Sequence, residues 1–247
     1  MELSIVIPVR NEAGNIGPLV AEIRAALDDG AAYEIVYVDD GSTDATAAEI
    51  RALAAAGAPL RLVRHARSCG QSAAIRTGVK AARGAWIATL DGDGQNDPAD
   101  IPRLWAMARG ENTPTLIAGW RQKRRDTWLK RISSKVANGV RAGMLGDATP
   151  DTGCGLKVFR RELFLDLPYF DHMHRFLPAL VKRAGGRTLS VPVNHRPRGS
   201  GRSNYGTIDR LVVGITDLLG VMWLMRRASV PMIAENDGSL TERQPAR

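Results

Sequence analysis

The sequence predicts an α/β fold with a mostly parallel central sheet, flanked by helices and followed by an apolar C-terminal helix. The first observation is that β-branched runs alternate four times with helical stretches in about the first 90 residues. Such alternation is typical of βαβ units, whose strands lie parallel. The second is that polar clusters directly follow three of these strands. Because ligands bind beyond the carboxyl ends of parallel strands, we expect the three clusters to line one edge of the sheet.

In the first half, short apolar runs alternate with segments of helical spacing. The strands are predicted at Leu3–Val9, Glu34–Val38, Leu60–Arg64 and Trp86–Leu90, and the helices at Pro18–Leu27, Thr43–Ala56 and Ser72–Arg83. In the first helix, Leu19, Val20 and Ile23 fall on one side. Ser42 or Thr43 is expected to cap the second helix, since hydroxyl side chains are favoured at that position.

The second half is less regular. Strands are predicted at Leu116–Trp120, Cys154–Phe159 and Thr188–Val193, and helices at Ile132–Leu145, Glu162–Leu167, Met173–Ala184 and Thr207–Arg227. Two basic segments lie between them: Arg121–Lys135, with seven Lys or Arg, and the Gly/Ser/Arg loop Arg196–Tyr205. The polar residues from about Ala234 onward are expected to be disordered.

The net charge of +8 is unevenly distributed. Residues 1–102 hold nine Lys or Arg against 14 Asp or Glu, whereas residues 103–247 hold 25 against 12. A uniformly basic nucleic-acid binder would not carry an acidic first part, so the distribution indicates a cation-binding half and an anion-binding half. The two cysteines, Cys69 and Cys154, are too few for a disulfide framework and suit a reducing compartment.

Neither end of the chain resembles a membrane-spanning or secretory segment. Leu211–Met225 is apolar but shorter than the roughly 20 residues that a spanning helix needs, and it contains Asp217. At the N-terminus, Glu2 and Arg10 do not fit a signal peptide. We therefore expect the protein in the cytoplasm. The apolar 211–225 segment favours a peripheral position there, at the inner face of the cell membrane.

The turn Asp91-Gly92-Asp93-Gly94-Gln95 carries the strongest chemical signal. Two carboxylates leave the end of an apolar strand, and carboxylate and amide oxygens are ligands for hard cations such as Mg²⁺ or Mn²⁺. Taken alone, the turn is more typical of a solvated Asp-Gly connection than of a metal site. A calcium loop is disfavoured, because Gln95 and Asn96 stand where the next ligand and glycine belong.

Three motifs together resemble the nucleotide-sugar-binding core of the inverting family 2 glycosyltransferases, which have the GT-A (Rossmann-like) fold. They are IPVRNE at 7–12, VDDGSTD at 38–44 and DGDGQNDP at 91–98, joined by a matching segment from Gly70. The resemblance implies that the nucleoside is surrounded by Pro8, Arg10, Glu12, Asp40 and, as an alternative, Asp39. It implies that Asp91 lies beside the donor sugar or ribose, while Asp93 and Gln95 hold the metal on the diphosphate. Ser68 departs from the family, in which Asn is expected.

The basic half resembles the polyprenyl-phosphate glycosyltransferase branch of this family. The similarity rests on Gly119–Arg121, on Lys130, Arg131 and Ser134, on Asp151–Lys157 and on His195–Tyr205. It implies that Arg121, Arg131, Ser134 and Arg198 contact the acceptor phosphate and that the arginines also contact the donor diphosphate. Asn204 departs from the branch, which often carries Lys there. The alternative for residues 121–135 is a solvated basic face or a nucleic-acid patch.

Asp151 has two interpretations that the sequence leaves open. It could be the general base for an alcohol acceptor, or it could orient an arginine or the acceptor in an enzyme that uses a phosphate acceptor. A phosphate acceptor needs no base, because its second pKa is near 6. Of the histidines, His172, His174 and His195 are candidates for titration, but surface positions at a helix start are favoured for the first two.

The resulting hypothesis is a metal-dependent inverting hexosyltransferase that moves a sugar from a GDP- or UDP-linked donor to a polyprenyl phosphate. Its predicted catalytic residues are Asp91, Asp93, Asp151, Arg121, Arg131 and Arg198. Residues 1–206 form the predicted catalytic domain, divided into a nucleotide-sugar half (1–102) and an acceptor half (103–206). Residues 207–233 form an apolar helix, either interfacial on the bilayer or packed in the core or an oligomer interface, and 234–247 a tail.

Two rivals remain at this point. One is a family 2 transferase that acts on a glycan or small-molecule hydroxyl with Asp151 as base. The other is a basic module on an inactive fold that binds nucleic acid or anionic lipid. No nucleic-acid partner is expected, since no known nucleic-acid-binding motif is present, and the sequence leaves homo-oligomerisation open.

Overall fold

The computed structural model describes residues 1–28, 30–121, 139, 141–147, 149–197 and 207–229. The strands are β1 Leu3–Val9, β2 Tyr33–Asp39, β3 Leu60–Arg64, β4 Trp86–Thr89, β5 Thr115–Trp120, β6 Lys157–Arg160 and β7 Arg187–Pro192. The helices are α1 Ile16–Leu27, α2 Thr46–Ala55, α3 Gln71–Ala81, α4 Ile101–Arg109, α5 Arg161–Leu165, α6 Leu177–Arg183 and α7 Thr207–Arg226. Short 3₁₀ turns lie at Pro98–Asp100 and Met173–Arg175. Residues 141–145 are also helical.

All seven strands form one sheet in the order β3-β2-β1-β4-β6-β5-β7. Every neighbouring pair is parallel except those of β6, which runs antiparallel to both β4 and β5. The predicted α/β class with a mostly parallel sheet is therefore confirmed. The strand order reverses between β1 and β4, and this switch point is where α/β sheets form a ligand crevice.

Alternating side chains of β1 build the cores on both faces of the sheet. Ile5 and Ile7 pack with α1, α2 and α4 on one face, whereas Val6 packs with α3, α5, α6 and α7 on the other. Gly78 of α3 lies so close to β1 that an added Cβ would meet Val6 at 2.4 Å. The absence of a side chain there lets α3 lie directly on β1.

Several predicted boundaries were wrong. Helix α2 begins at Thr46, and neither Ser42 nor Thr43 caps it. The Asp44 carboxylate instead accepts from the Thr46 amide at 3.0 Å, and the Ser42 hydroxyl accepts from the Asn11 amide at 2.9 Å. The predicted helix Met173–Ala184 is a 3₁₀ turn followed by α6, with Phe176 between them.

Two further differences concern the start of a strand and a helix that the sequence did not predict. The strand predicted from Cys154 begins only at Lys157, and α4 was not predicted from the sequence. Most of the predicted helix Ile132–Leu145 lies outside the described residues. So does the 234–247 tail, whose predicted disorder is not tested.

Candidate active site

A cavity of about 540 Å³ opens at the carboxyl ends of β1 and β4. Part of its lining consists of the residues that follow these two strands. The rest includes Arg121 after β5, residues 152–155 before β6, and residues 174–175 before α6. The predicted site residues in its lining are Pro8, Arg10, Glu12, Asp40, Asp91, Asp93 and Arg121. The structure therefore brings the donor motifs and the first basic motif together. Arg131, Ser134 and Arg198 lie outside the described residues.

The Asp91–Gln95 turn is held by hydrogen bonds within its own loop and from α3. The Asp91 carboxylate accepts from the Gln71 side-chain amide at 2.9 Å, and the Asp93 carboxylate accepts from the Gln95 backbone amide at 3.1 Å. Burial, and secondarily the charge of Asp93, raise the pKa of Asp91 to about 6. A divalent cation would relieve both effects on Asp91, so the turn suits one. Gln95 lies outside the cavity lining.

The Asp39-Asp40 pair after β2 is largely engaged by the protein itself. Asp39 is fully buried and forms an ion pair with Arg64 at 2.9 Å. Asp40 lines the cavity, and its carboxylate accepts hydrogen bonds from His65, Ser68, Cys69 and Gly70 at 2.7–2.9 Å. A carboxylate has about four acceptor sites, so Asp40 mainly fixes the 65–70 loop at the cavity edge.

Asp40, His65 and Cys69 also converge closely enough to be considered as metal ligands. Both nitrogens of the His65 ring are engaged, one with Asp40 at 2.7 Å and the other with the Thr77 hydroxyl at 3.0 Å. This cluster is therefore explained by hydrogen bonds within the protein. The Asp91–Asp93 pair fits a cation better.

Arg121 and Asp151 form a bidentate pair beside the cavity. The guanidinium donates from Nε and Nη2 to the two carboxylate oxygens at 2.7 and 2.8 Å. Asp151 is 4% exposed. Although burial alone lowers the pKa of Arg121, the hydrogen bonds and charge of Asp151 raise it above its usual value. The pair holds Arg121 charged and in a fixed orientation at the cavity wall.

Further side chains in the cavity were not predicted to act there. Lys157 is buried and donates to the Cys154 carbonyl, and burial lowers its pKa. His174 was expected on the surface, but it is partly buried, lines the cavity and lies 2.7 Å from the Ser72 hydroxyl. Neither follows a strand end, so the signal that located the acidic turns was absent.

The segment that precedes the basic 196–205 loop is hydrogen-bonded to the acidic turn. His195 and Asn96 form an isolated antiparallel β-bridge, and the Arg196 amide donates to the Gln95 carbonyl at 3.0 Å. The Arg196 guanidinium donates to both oxygens of Glu22 at 3.0 and 2.7 Å. Arg196 thus anchors this loop and is not available for a ligand phosphate in this arrangement.

An α/β sheet whose switch point carries a cation-compatible carboxylate pair, with a fixed arginine in the same cavity lining, is suited to bind a metal-bound anionic ligand. The family model "Glycosyl transferase family 2" matches residues 4–167. The chain belongs to this family, as the resemblance of the three motifs implied.

Curated relatives agree with this membership. The chain is 40% identical over 236 residues to dodecaprenyl-phosphate galacturonate synthase of Rhizobium johnstonii, covering 94% of this chain and 69% of that protein. It is 36% identical over 206 residues to undecaprenyl-phosphate 4-deoxy-4-formamido-L-arabinose transferase of Edwardsiella ictaluri, covering 83% of this chain and 63% of that protein. The chain therefore spans about two thirds of the length of these relatives.

Solved structures share the fold. Glucosyl-3-phosphoglycerate synthase from Mycobacterium tuberculosis, in complex with Mn²⁺, uridine diphosphate and glucosyl-3-phosphoglycerate, superposes with a TM-score of 0.66 at 22% identity. The match covers 94% of this chain and 81% of that one. A complex of the same enzyme with Mg²⁺ and uridine diphosphate gives 0.67 at 21% identity, covering 94% and 80%. At this identity the similarity shows the fold alone.

Proposed function

We propose that this protein transfers a sugar from a nucleotide diphosphate donor to a polyprenyl phosphate, with inversion at the anomeric carbon. Both curated relatives described above carry a polyprenyl phosphate in their names. The observation that carries the proposal is that Arg121, held by Asp151, lines the same cavity as Asp91 and Asp93. One cavity thus contains a fixed cation and the carboxylates that suit a metal-bound diphosphate.

The state of Asp151 favours a phosphate acceptor over a hydroxyl acceptor. Both of its carboxylate oxygens accept from Arg121, so removing a proton from a sugar hydroxyl would compete with this pair. A phosphate monoester is already largely ionised at neutral pH and needs positioning cations rather than a base. In the proposed reaction an acceptor phosphate oxygen attacks the anomeric carbon, the bond from that carbon to the donor diphosphate breaks, and the nucleoside diphosphate leaves. Arg121 would orient the anionic groups.

On the donor side, Pro8, Arg10 and Glu12 would contact the nucleoside diphosphate. Asp93, together with Asp91 and with Gln95 on the same turn, would hold a divalent cation, either Mg²⁺ or Mn²⁺. When bound, such a cation supplies positive charge to the departing diphosphate. The raised pKa of Asp91, and the closeness of the Asp93 carboxylate that contributes to it, support this assignment.

We further propose that the protein binds the membrane surface peripherally through α7. In the part of the chain that the structure describes, no helix is both long and apolar enough to cross a membrane. Helix α7 buries Val221, while Ile215, Leu219 and Trp223 are 53%, 56% and 59% exposed. Their spacing of four residues places them on one face, as in helices that lie at a bilayer interface.

The proposal is tested by incubating the purified chain with Mn²⁺, undecaprenyl phosphate and a series of UDP- and GDP-sugars that includes UDP-galacturonate. We expect nucleotide diphosphate release with formation of an organic-extractable sugar lipid. Asp93→Asn and Arg121→Gln should each lower the rate at least a hundredfold, since each removes charge stabilisation at the reacting groups. Turnover with free sugar alcohols but not with the lipid phosphate would instead establish the hydroxyl-acceptor activity.

A further inference from the structure

One cation in the cavity lining has no assigned task. Arg175 is exposed and lines the cavity near Lys157 and His174. Among the described residues no carboxylate lies within ion-pair distance of its guanidinium. Arg121, by contrast, is paired with Asp151, and Lys157 donates to the Cys154 carbonyl. Arg175 is therefore a cation in the cavity wall without a described acidic partner.

The turn that carries Arg175 is built rigidly. His174 contacts the Ser72 hydroxyl twice, through its ring at 2.7 Å and through its backbone amide, which donates at 3.2 Å. Met173 and Phe176 on either side are 1% and 5% exposed. Fixing the backbone in this way holds the Cα of Arg175 in place at the cavity, so that ordering on binding is confined to its side chain.

The electrostatics of this wall favour an anion. Burial is the largest cause that lowers the pKa of His174, to about 3, and the charges of Lys157 and Arg175 lower it further. The ring is therefore neutral, and the positive potential comes from the lysine and the arginine. Asp91 and Asp93 lie in the lining of the same cavity, so it has an acidic part that suits a cation and a basic part that suits an anion.

The same turn contacts the C-terminal helix. His172, which has a left-handed backbone with φ of 64°, lies 3.0 Å from the Asp217 carboxylate of α7. The exposed apolar residues of this helix, Ile215, Leu219 and Trp223, are where we propose a lipid surface to lie. The turn that carries Arg175 thus contacts α7 through His172 and lines the cavity through His174 and Arg175.

We propose that Arg175 binds the anionic oxygens that a substrate brings to the basic side of the cavity. This rests on the proposed transfer reaction, and the chemistry has two sources: the phosphate monoester of the acceptor, or a carboxylate on the donor sugar. Both are recognised by a guanidinium through paired N–H···O bonds. In either case Arg175 is an anion-binding residue that no sequence motif had indicated.

The test compares Arg175→Gln and Arg175→Lys with a matched control, Arg51→Gln, which removes one charge from an exposed position on α2. In the acceptor arm, the KM for farnesyl phosphate should rise roughly tenfold or more in Arg175→Gln, the loss expected of a charge-assisted hydrogen bond. Arg175→Lys should recover part of it, while UDP affinity with Mn²⁺ and the melting temperature stay unchanged. In the donor arm, the preference for UDP-galacturonate over UDP-galactose should fall instead.

The inference is overturned if Arg175→Gln matches Arg51→Gln in both arms. If the wild-type chain transfers no sugar to any prenyl phosphate, the proposed function fails by itself. Calorimetric binding of farnesyl phosphate, with UDP and Mn²⁺ present, then decides the role of Arg175. Weaker binding by Arg175→Gln than by wild type supports it, whereas equal binding, or no binding by wild type, overturns it.

Discussion

At the scale of single residues, the neutral His174 has a measurable effect on stability. Its pKa in the folded protein is about 3, because of burial and the neighbouring cations, against roughly 6.5 in an unfolded chain. Between these values the unfolded chain binds a proton that the folded protein does not, so stability is lost as the pH falls from about 6.5 to 3. Above pH 6.5 the ring is neutral in both states and contributes no such dependence.

We therefore predict that His174→Gln unfolds with a weaker pH dependence than wild type. Gln retains a polar side chain near the Ser72 hydroxyl but has no titrating group. The melting temperature of wild type should drop further than that of the variant between pH 7.5 and 4.5, as measured by circular dichroism. Parallel curves for the two proteins over this range would contradict the assignment.

Asp151→Asn separates a positioning role from a general-base role. If Asp151 orients Arg121, the variant keeps one acceptor and loses the charged bidentate pair. The kcat/KM for polyprenyl phosphate should then fall roughly ten- to hundredfold, with the pH–rate profile unchanged in shape. A general base would give a far larger loss and would remove an ionisation from the profile. Steady-state rates between pH 5.5 and 9 distinguish the two.

The residues of the cavity were predictable from the sequence to different extents. Asp91, Asp93 and Arg121 lie together as expected, because each directly follows a strand whose carboxyl end faces the same edge of the sheet. His174 and Arg175 reach the cavity only because a 3₁₀ turn packs against the start of α3. That contact spans about a hundred residues of chain, and no local pattern records it.

At the scale of elements, the connection that leads into β6 packs closely against the acidic turn at Gly155. A Cβ on Gly155 would lie 2.3 Å from the Asp91 carboxylate. Gly155→Ala should therefore displace Asp91 and weaken binding of Mn²⁺ and UDP at least roughly tenfold, since misplaced site residues lose much of their effect. Gly17→Ala in α1 is the control, because a Cβ there meets nothing within 4 Å. Calorimetry on both variants measures the difference, and equal affinities would refute the steric argument.

The bounds of the helices and strands agree with the sequence predictions most closely where the pattern that predicts them is local. Strands β1 and β3 have the predicted bounds, since short β-branched runs between turn residues leave little freedom. The predicted start of α2 was wrong because Ser42 and Thr43 contact Asn11 in the loop after β1. The Ser42 hydroxyl accepts from the Asn11 amide, and the Thr43 amide and hydroxyl donate to the Asn11 side-chain oxygen. Side chains that serve as caps in isolated helices are here used to join two loops at the cavity edge.

At the scale of the whole molecule, the order of strands depends on contacts that the sequence does not record. Strand β6 comes after β5 in the chain but lies between β4 and β5, antiparallel to both. This insertion brings Lys157 beneath the cavity and sets the Asp151–Leu156 connection over the Asp91 turn. The alternation of strands and helices predicted the α/β class with its mostly parallel sheet, whereas the GT-A fold was implied only by the resemblance to a known family.

The exposed face of α7 leads to the last prediction, which concerns how the molecule meets its acceptor. Replacing Ile215, Leu219 and Trp223 by Gln should weaken binding to anionic vesicles at least roughly a hundredfold, because each inserted apolar side chain contributes about 1–2 kcal/mol. Turnover of water-soluble farnesyl phosphate should persist, since the cavity is unchanged. Met107→Gln, which removes a 39% exposed apolar side chain from α4, is the control and should not affect vesicle binding.

Unaltered co-sedimentation of the triple variant with vesicles would show that this face serves a different contact. A simultaneous loss of activity on farnesyl phosphate would mean that α7 supports the cavity through its pairing with His172 rather than the membrane surface alone.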